Sequence, residues 1–362
     1  MEKIKTDDEI VLEMTERLKE AIPALMGETY KLDTSNHLRA DRRYSFVFYY
    51  WALDEDGQKH PIFLKIPHPE SMKTIGEAIQ SEKLREELAR EYETLNKFSD
   101  AIVKSGRRDL STIKPLGYFS KFNAIFMNKV RMKMLKERLN EPGIILGYSS
   151  HRASFLNQVQ RAGEWIRIIH NEFHQGRETL LRDTNQILAI ENEYAAIEKM
   201  LKKGFPQSFI KFSAVYEKYK NEILPISSLH DDFHLGNVFI LEDGSIGALD
   251  PNWKDAGIAY RDVANLLIDP VTRKHQILTH GKLYGTSLIK QYEQATLKGY
   301  FGPQQKKAPI LLDYFCAVLV LSKWRDLLES IEGSLFSRAK SLYISRYFLN
   351  VIDFYLEREL RK

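Results

Sequence analysis

A chain of 362 residues, 43% hydrophobic and 28% charged, has the balance of a folded globular protein and is too long for one small core. That excludes a disordered or fibrous chain and makes two domains the expectation. The net charge of +4, with no long block of Lys or Arg, excludes a nucleic-acid-binding arm and leaves the partner open. The one cysteine, Cys316, sits in the apolar run 314–321 and reads as a buried small hydrophobe in a reducing compartment. Residues 1–9 lack the apolar centre of a signal peptide, and no apolar run approaches the roughly 20 residues that span a bilayer, so the expectation is a soluble, cytoplasmic protein.

In chain order, Thr6 or Asp7 can cap a helix whose apolar residues Ile10, Val11, Met14, Leu18, Ile22 and Leu25 recur at helical spacing until Pro23 and Gly27. Residues 44–53 are aromatic-rich and read as a strand. The acidic Gly turn at 54–58 leads to a second strand, Pro61-Ile62-Phe63-Leu64-Lys65-Ile66, ended by Pro67 and Pro69. Lys65 interrupts that apolar strand, as an edge-strand guard against aggregation would. Residues 75–98 read as one long charged helix. Within it Glu91 lies three residues after Leu88 and four before Leu95, on or near the inward face, with Glu93 as a competitor in the same turn. An inward Glu invites a cation. Two short apolar runs, 113–119 and 124–130, would close a small sheet.

Beyond Val130 the texture becomes helical, with stripes at 155–173, 194–201 and 209–219 and further helices at 281–296, 309–331 and 334–360. Gly299-Tyr300-Phe301-Gly302-Pro303 acts as a breaker between the first two of these last three. The expected division is a mixed lobe at 1–129 and a mainly helical lobe at 130–362.

One stretch interrupts the helices. Leu229-His230-Asp231-Asp232-Phe233-His234-Leu235-Gly236-Asn237 precedes Val238-Phe239-Ile240-Leu241, the turn Glu242-Asp243-Gly244-Ser245, and Ile246-Gly247-Ala248-Leu249-Asp250. Two apolar runs around an acidic Gly turn predict a β-hairpin with Asp232 and Asn237 at its entrance and Asp250 at its exit. Oxygen-bearing side chains so placed suit a hard cation whose other ligands are waters and phosphate oxygens. Taken alone, an Asp-rich turn is more often simply solvated.

The run from His230 to Asn237 resembles the catalytic loop of the aminoglycoside phosphotransferase and choline kinase family, a branch of the protein-kinase-like fold. The family writes it as His, Gly, Asp, an apolar residue, His, two variable residues and Asn; here Asp231 stands in place of Gly. The resemblance continues in chain order through Lys65, Glu91, the hinge-like Met127-Asn128-Lys129-Val130, Asp250, and Asp262 near the head of a helix.

It implies an α+β, two-lobed fold with a small β-sheet N-lobe and a mainly helical C-lobe. The implied activity is transfer of the γ-phosphate of ATP, with Mg²⁺, to a hydroxyl of a small molecule or glycan precursor. No membrane span, nucleic acid or obligate protein partner is implied. In that scheme Asp232 takes the acceptor proton, Asn237 and Asp250 hold the metal, and Lys65, fixed by Glu91, contacts the α- and β-phosphates. Met127, Asn128 and Val130 would border the nucleotide, Asp262 would steady the loop through backbone contacts, and His230, His234 and His170 would be structural.

The nucleotide loop departs from the family's Gly/Ser/Asn pattern. Residues 33–36 and 42–45 compete for it, neither containing Gly; the second lies nearer the expected hairpin, giving Arg43 and Ser45 as phosphate contacts. From His280 to Lys362 there are 13 Lys/Arg against 8 Asp/Glu, a balance that favours a neutral or anionic acceptor over a cationic one. Two other readings are a nucleotide-binding but inactive pseudokinase scaffold and a protein or lipopolysaccharide kinase.

Overall fold

Thr6 accepts the backbone N–H of Glu9 while the Glu9 side chain accepts that of Thr6, a capping box that starts α1 (Asp7–Met26). Pro23 lies inside this helix and Gly27, at φ +126°, closes it. The computed structural model describes residues 6–174, 176–305, 307–331 and 337–362. Residues 1–5, part of the segment read for a signal sequence, and 334–336 of the last predicted helix fall outside them.

The chain divides into two compact units, Met1–Met132 with Leu241–Pro251, and Lys133–Ile240 with Asn252–Lys362. The first contains β1 (Lys31–Arg42), β2 (Ser45–Leu53), β3 (Lys59–Pro67), α2 (Ile75–Gln80), α3 (Glu82–Lys104), β4 (Pro115–Phe119) and β5 (Ala124–Asn128). The strands form an antiparallel sheet in the order β1-β2-β3-β5-β4. Alternation along β2 and β3 sends Phe46, Phe48, Tyr50, Ile62, Leu64 and Ile66 to one face, where they form a core with Ile10, Met14, Leu18 and Ile22 of α1. Each such buried side chain contributes about 1.5–3 kcal/mol. Lys65 is therefore on the opposite face, flanked across the ladder by Val47 and Ile125. It occupies an interior strand of the sheet, which removes the edge-guard reading.

Two expectations change in this unit. β1 is a strand of 12 residues that the sequence did not suggest, because Lys31-Leu32-Asp33-Thr34-Ser35-Asn36-His37-Leu38 has no alternating apolar pattern. Its pairing shifts register between Asp33, opposite Trp51, and Leu38, opposite Tyr49, so the irregularity falls at residues 34–37 within the strand. The single helix expected over 75–98 is two, because Ser81 ends α2 and caps α3 by accepting the Leu84 N–H. The buried Asn123 amide holds the junction, donating to the carbonyls of Ala78, Ile79 and Ser81.

The chain continues through β6 (Met132–Met134), α4 (Leu135–Leu139), α5 (Pro142–Ile145), α6 (Ser149–His174), β7 (Glu178–Leu180), α7 (Gln186–Leu201), α8 (Pro206–Tyr219), β8 (Ile223–Leu229), β9 (Val238–Leu241), β10 (Ile246–Ala248) and β11 (Lys254–Ile258). It ends with α9 (Tyr260–Thr272), α10 (Lys274–Leu278), α11 (Gly285–Phe301), α12 (Leu312–Ile331) and α13 (Ser337–Leu360). In the second unit α6 buries Phe155, Val159, Ala162, Trp165, Ile166 and Ile169, the stripe read from the sequence.

The breaker expected at residues 299–303 does not act at Gly299, since α11 runs on to Phe301. Gly299 instead lets α11 cross α6 closely: a Cβ there would overlap the Gln160 carbonyl, and one on Gly163 would stand 2.8 Å from the Thr296 carbonyl oxygen. Cys316 is fully buried in α12, and that burial pushes its thiol pKa well up.

Candidate active site

In the first unit three charged groups meet. Lys65 Nζ donates to Glu91 Oε1 at 3.1 Å and to Asp250 Oδ1 at 3.0 Å. α3 presents Glu91 because Leu88 and Leu95 anchor the same stripe in the core, whereas Glu93 is exposed. Burial alone would lower the Lys65 pKa; the charges of Glu91 and Asp250 outweigh it and hold the ammonium above its ordinary value. Asp250 follows β10 and adopts φ +49°. The chain reaches it through the turn after β9, where the Leu241 N–H donates to the Ser245 carbonyl at 3.0 Å and Gly244 takes φ +82°.

The second unit carries the loop between β8 and β9, and its organising residue is Asp262 in the first turn of α9. This carboxylate is fully buried. It accepts the backbone N–H of His230 at 2.7 Å and of Asp231 at 2.8 Å, and meets His170 Nε2 at 3.0 Å. His170 in turn meets the Tyr300 hydroxyl at 2.7 Å. Burial, with the Asp262 charge behind it, pushes the Tyr300 pKa up, so that hydroxyl keeps its proton. His230 and Phe233 are fully buried, and the Phe233 ring stacks on Trp165 at 5.7 Å.

Anchored this way, the loop leaves Asp232 partly exposed. Its Oδ2 accepts the Asn237 side-chain amide at 2.9 Å and its carbonyl accepts the same group at 3.0 Å. His234 Nε2 stands 3.4 Å from Oδ1, while His234 Nδ1 accepts the Gly236 N–H at 2.8 Å. Burial would raise the Asp232 pKa, but the His234 interaction, the Lys323 charge and the Asn237 hydrogen bond together lower it. Asp232 is thus a carboxylate at neutral pH. With its nitrogen engaged, Asn237 has Oδ1 left to offer a cation. Asp250 likewise has Oδ2 left once Oδ1 holds Lys65. Each is a hard oxygen donor of the kind that suits Mg²⁺.

The substitution at Asp231 has a physical account. Its φ of +58° is the left-handed conformation that favours Gly and that Asp tolerates better than most residues. The side chain is nearly buried, yet its charge is met by Lys254 Nζ at 2.7 Å and Arg261 Nε at 3.5 Å.

Of the remaining candidates, Arg43 lies in the two-residue connection between β1 and β2, with its guanidinium paired to Glu70 at 2.9 Å. Ser45 opens β2 opposite Pro67, two positions from the Val47–Lys65 pair. Met127 is buried opposite Phe63, Asn128 is exposed opposite Ile62, and Val130 follows the strand end, where the Lys129 N–H donates to the Pro61 carbonyl at 2.9 Å.

Sequence reasoning missed Asp269. It lies two helical turns after Asp262 on α9, accepts the Leu235 N–H at 3.2 Å and pairs with Arg273. The spacing of seven on one helix was the signal that could have found it.

No protein-family model matches the chain, and no curated protein sequence matches it. Solved structures do. A Plasmodium vivax ethanolamine kinase is similar over 94% of this chain and 90% of its own, with a TM-score of 0.51 and 10% identity. The amicoumacin kinase hAmiN, solved with AMP-PNP, Ca²⁺ and Ami, is similar over 95% and 96%, with a TM-score of 0.50 and 14% identity. At such identities the likeness shows the fold, which is protein-kinase-like, with a β-sheet N-terminal part and a mainly helical C-terminal part. The motifs read from the sequence, His230 to Asn237 foremost, resemble those of the aminoglycoside phosphotransferase and choline kinase family.

Proposed function

We propose that the chain is an ATP-dependent phosphotransferase that phosphorylates a hydroxyl of a small molecule, a sugar, amino sugar, amino alcohol or glycan precursor. The observation that carries this reading is the loop from His230 to Asn237. A buried Asp262 fixes its backbone, and Asp232 is ionised and joined to Asn237. The Lys65–Glu91–Asp250 cluster supplies the second half of the same motif set.

In the reaction the acceptor oxygen forms a bond to the γ-phosphorus, the bond from that phosphorus to the bridging oxygen breaks, and ADP leaves with the electron pair. The hydroxyl proton passes to Asp232. Lys65 would contact the α- and β-phosphates, held in place by Glu91. Asn237 and Asp250 would hold Mg²⁺, which when bound offsets phosphate charge. Met127, Asn128 and Val130 would border the base, and Ser45 and Arg43 the phosphates, Arg43 exchanging Glu70 for a phosphate to do so.

The test is ADP release from ATP and Mg²⁺ across hydroxyl acceptors, comparing the wild type with Asp232→Ala and Asp250→Ala. Turnover in the wild type and its loss in both variants support the reading. One observation favours a second reading, a nucleotide-binding scaffold: the β1–β2 connection, Arg43-Tyr44, has no Gly to admit phosphates to its backbone. ATP binding with no turnover of any acceptor would favour it.

A further inference from the structure

A cavity of about 340 Å³ opens in the second unit, lined by α9, α10, α12 and α13. Its charged lining is Lys274, Lys323, Lys340 and Asp326, set beside apolar residues such as Ile277 and Phe348. Asp326 is already engaged by Arg325 at 2.8 Å. Among the described residues none of the three lysines has a carboxylate within ion-pair distance. Other cations of α12 and the chain end are paired: Arg358 with Glu293 and Asp313, Lys362 with Asp313 and Glu359, and Arg325 with Glu193 as well. Three lysines without a carboxylate partner among the described residues therefore line one cavity.

Two features tie the cavity to the loop carrying Asp232. Lys323 lines it and acts on Asp232 through its charge. Thr272 lines it from α9, one helical turn beyond Asp269, which holds the Leu235 N–H of that loop.

We infer that this cavity is the acceptor pocket and that it selects an anionic alcohol, one carrying a phosphate or carboxylate group on a partly apolar body. The inference rests on the phosphotransferase reading for the fate of the ligand, but not for its binding. An acid group here meets a net positive wall that repels an amine. Ile277 and Phe348 accept the carbon skeleton.

The test uses four matched probes, glucose 6-phosphate, gluconate, glucose and glucosamine. Binding is read by saturation-transfer NMR and turnover by ADP release, in the wild type, Lys274→Glu/Lys340→Glu and Lys274→Arg/Lys340→Arg. Both lysines are exposed, so unchanged melting temperatures are expected to confirm folding. The expected result is preferential binding of the two anions. The Glu variant should weaken it roughly tenfold or more per reversed charge, the Arg variant should keep it, and the KM for ATP should not change. Failure of either anion to bind, or binding of glucosamine at least as tight and indifferent to the Glu variant, overturns the inference; turnover of glucosamine would leave the phosphotransferase reading standing. Anion binding lost in the Glu variant with no ADP release supports the pocket and counts against that reading.

Discussion

The two candidate clusters, one in each unit, are built on opposite principles. Asp262 is fully buried, and each of its partners, two backbone N–H groups and His170, belongs to the permanent fold. The Lys65 cluster is a set of side-chain ion pairs, and one member, Asp250, has a side chain 64% exposed. Breaking a buried, fully satisfied network leaves unpaired polar groups in a dry place, whereas partly exposed ion pairs exchange partners at little cost. The loop bearing Asp232 is therefore pre-organised. Lys65 and Asp250 are held by each other in a pair that can exchange partners without disturbing the fold, as the proposed function requires.

The largest expected effect tests the pre-organised cluster at its reacting atom. Asp232→Asn, nearly isosteric, is expected to cost about 10²–10⁴ in kcat, with the melting temperature nearly unchanged. Asp262→Ala should damage stability as well as activity, by about 3–5 kcal/mol in chemical denaturation, because it strands the His230 and Asp231 N–H groups and His170. If Asp262→Ala cost no more than Lys65→Ala, the contrast between the clusters would be lost. Gly299→Ala sharpens the same point away from the site. Overpacking the α6–α11 crossing should cost about 1–3 kcal/mol or more with no direct effect on nucleotide binding.

In the exchangeable cluster, Lys65→Ala should raise the KM for ATP and cost less stability than Asp262→Ala, because Asp250 is largely exposed and only Glu91 is left as a mostly buried, unpaired carboxylate. The smallest effect is on pH. Asp232 has a lowered pKa, so its ionised form is present above the ordinary carboxylate value of about 4 and is lost only as pH falls through the lower folded value. Any stability it contributes follows the same window. His234→Ala removes the leading cause of the depression and should move the acid limb of kcat/KM upward, as a pH–rate profile would show.

What was legible in the sequence follows the same division. Helical periodicity exposed α1, α6 and α12, and alternation exposed β2 and β3, because burial on one face leaves a pattern. The loop at 230–237 and Asp262 could be placed only because their order and spacing resemble a known family's motif; the buried carboxylate and the backbone N–H groups it holds give the physical reason for that spacing. β1 was hidden because its residues are mostly polar and exposed and its pairing is bulged. Gly299 was misread because a glycine that ends a helix and one that admits a neighbouring helix are the same letter. The partners of Asp231, Lys254 and Arg261, lie more than twenty residues beyond it and share no local pattern with it. Lys323 was invisible as a neighbour of Asp232, because only the packing of α12 brings it near.

The most direct test of the central claim pairs nucleotide titration with acceptor turnover in the wild type and Asp232→Asn. The expected result is that both bind ATP with Mg²⁺ within about threefold of one another, while ADP release driven by a hydroxyl acceptor falls by at least about 10² in the variant. Acceptor-driven ADP release that survives Asp232→Asn undiminished would contradict it.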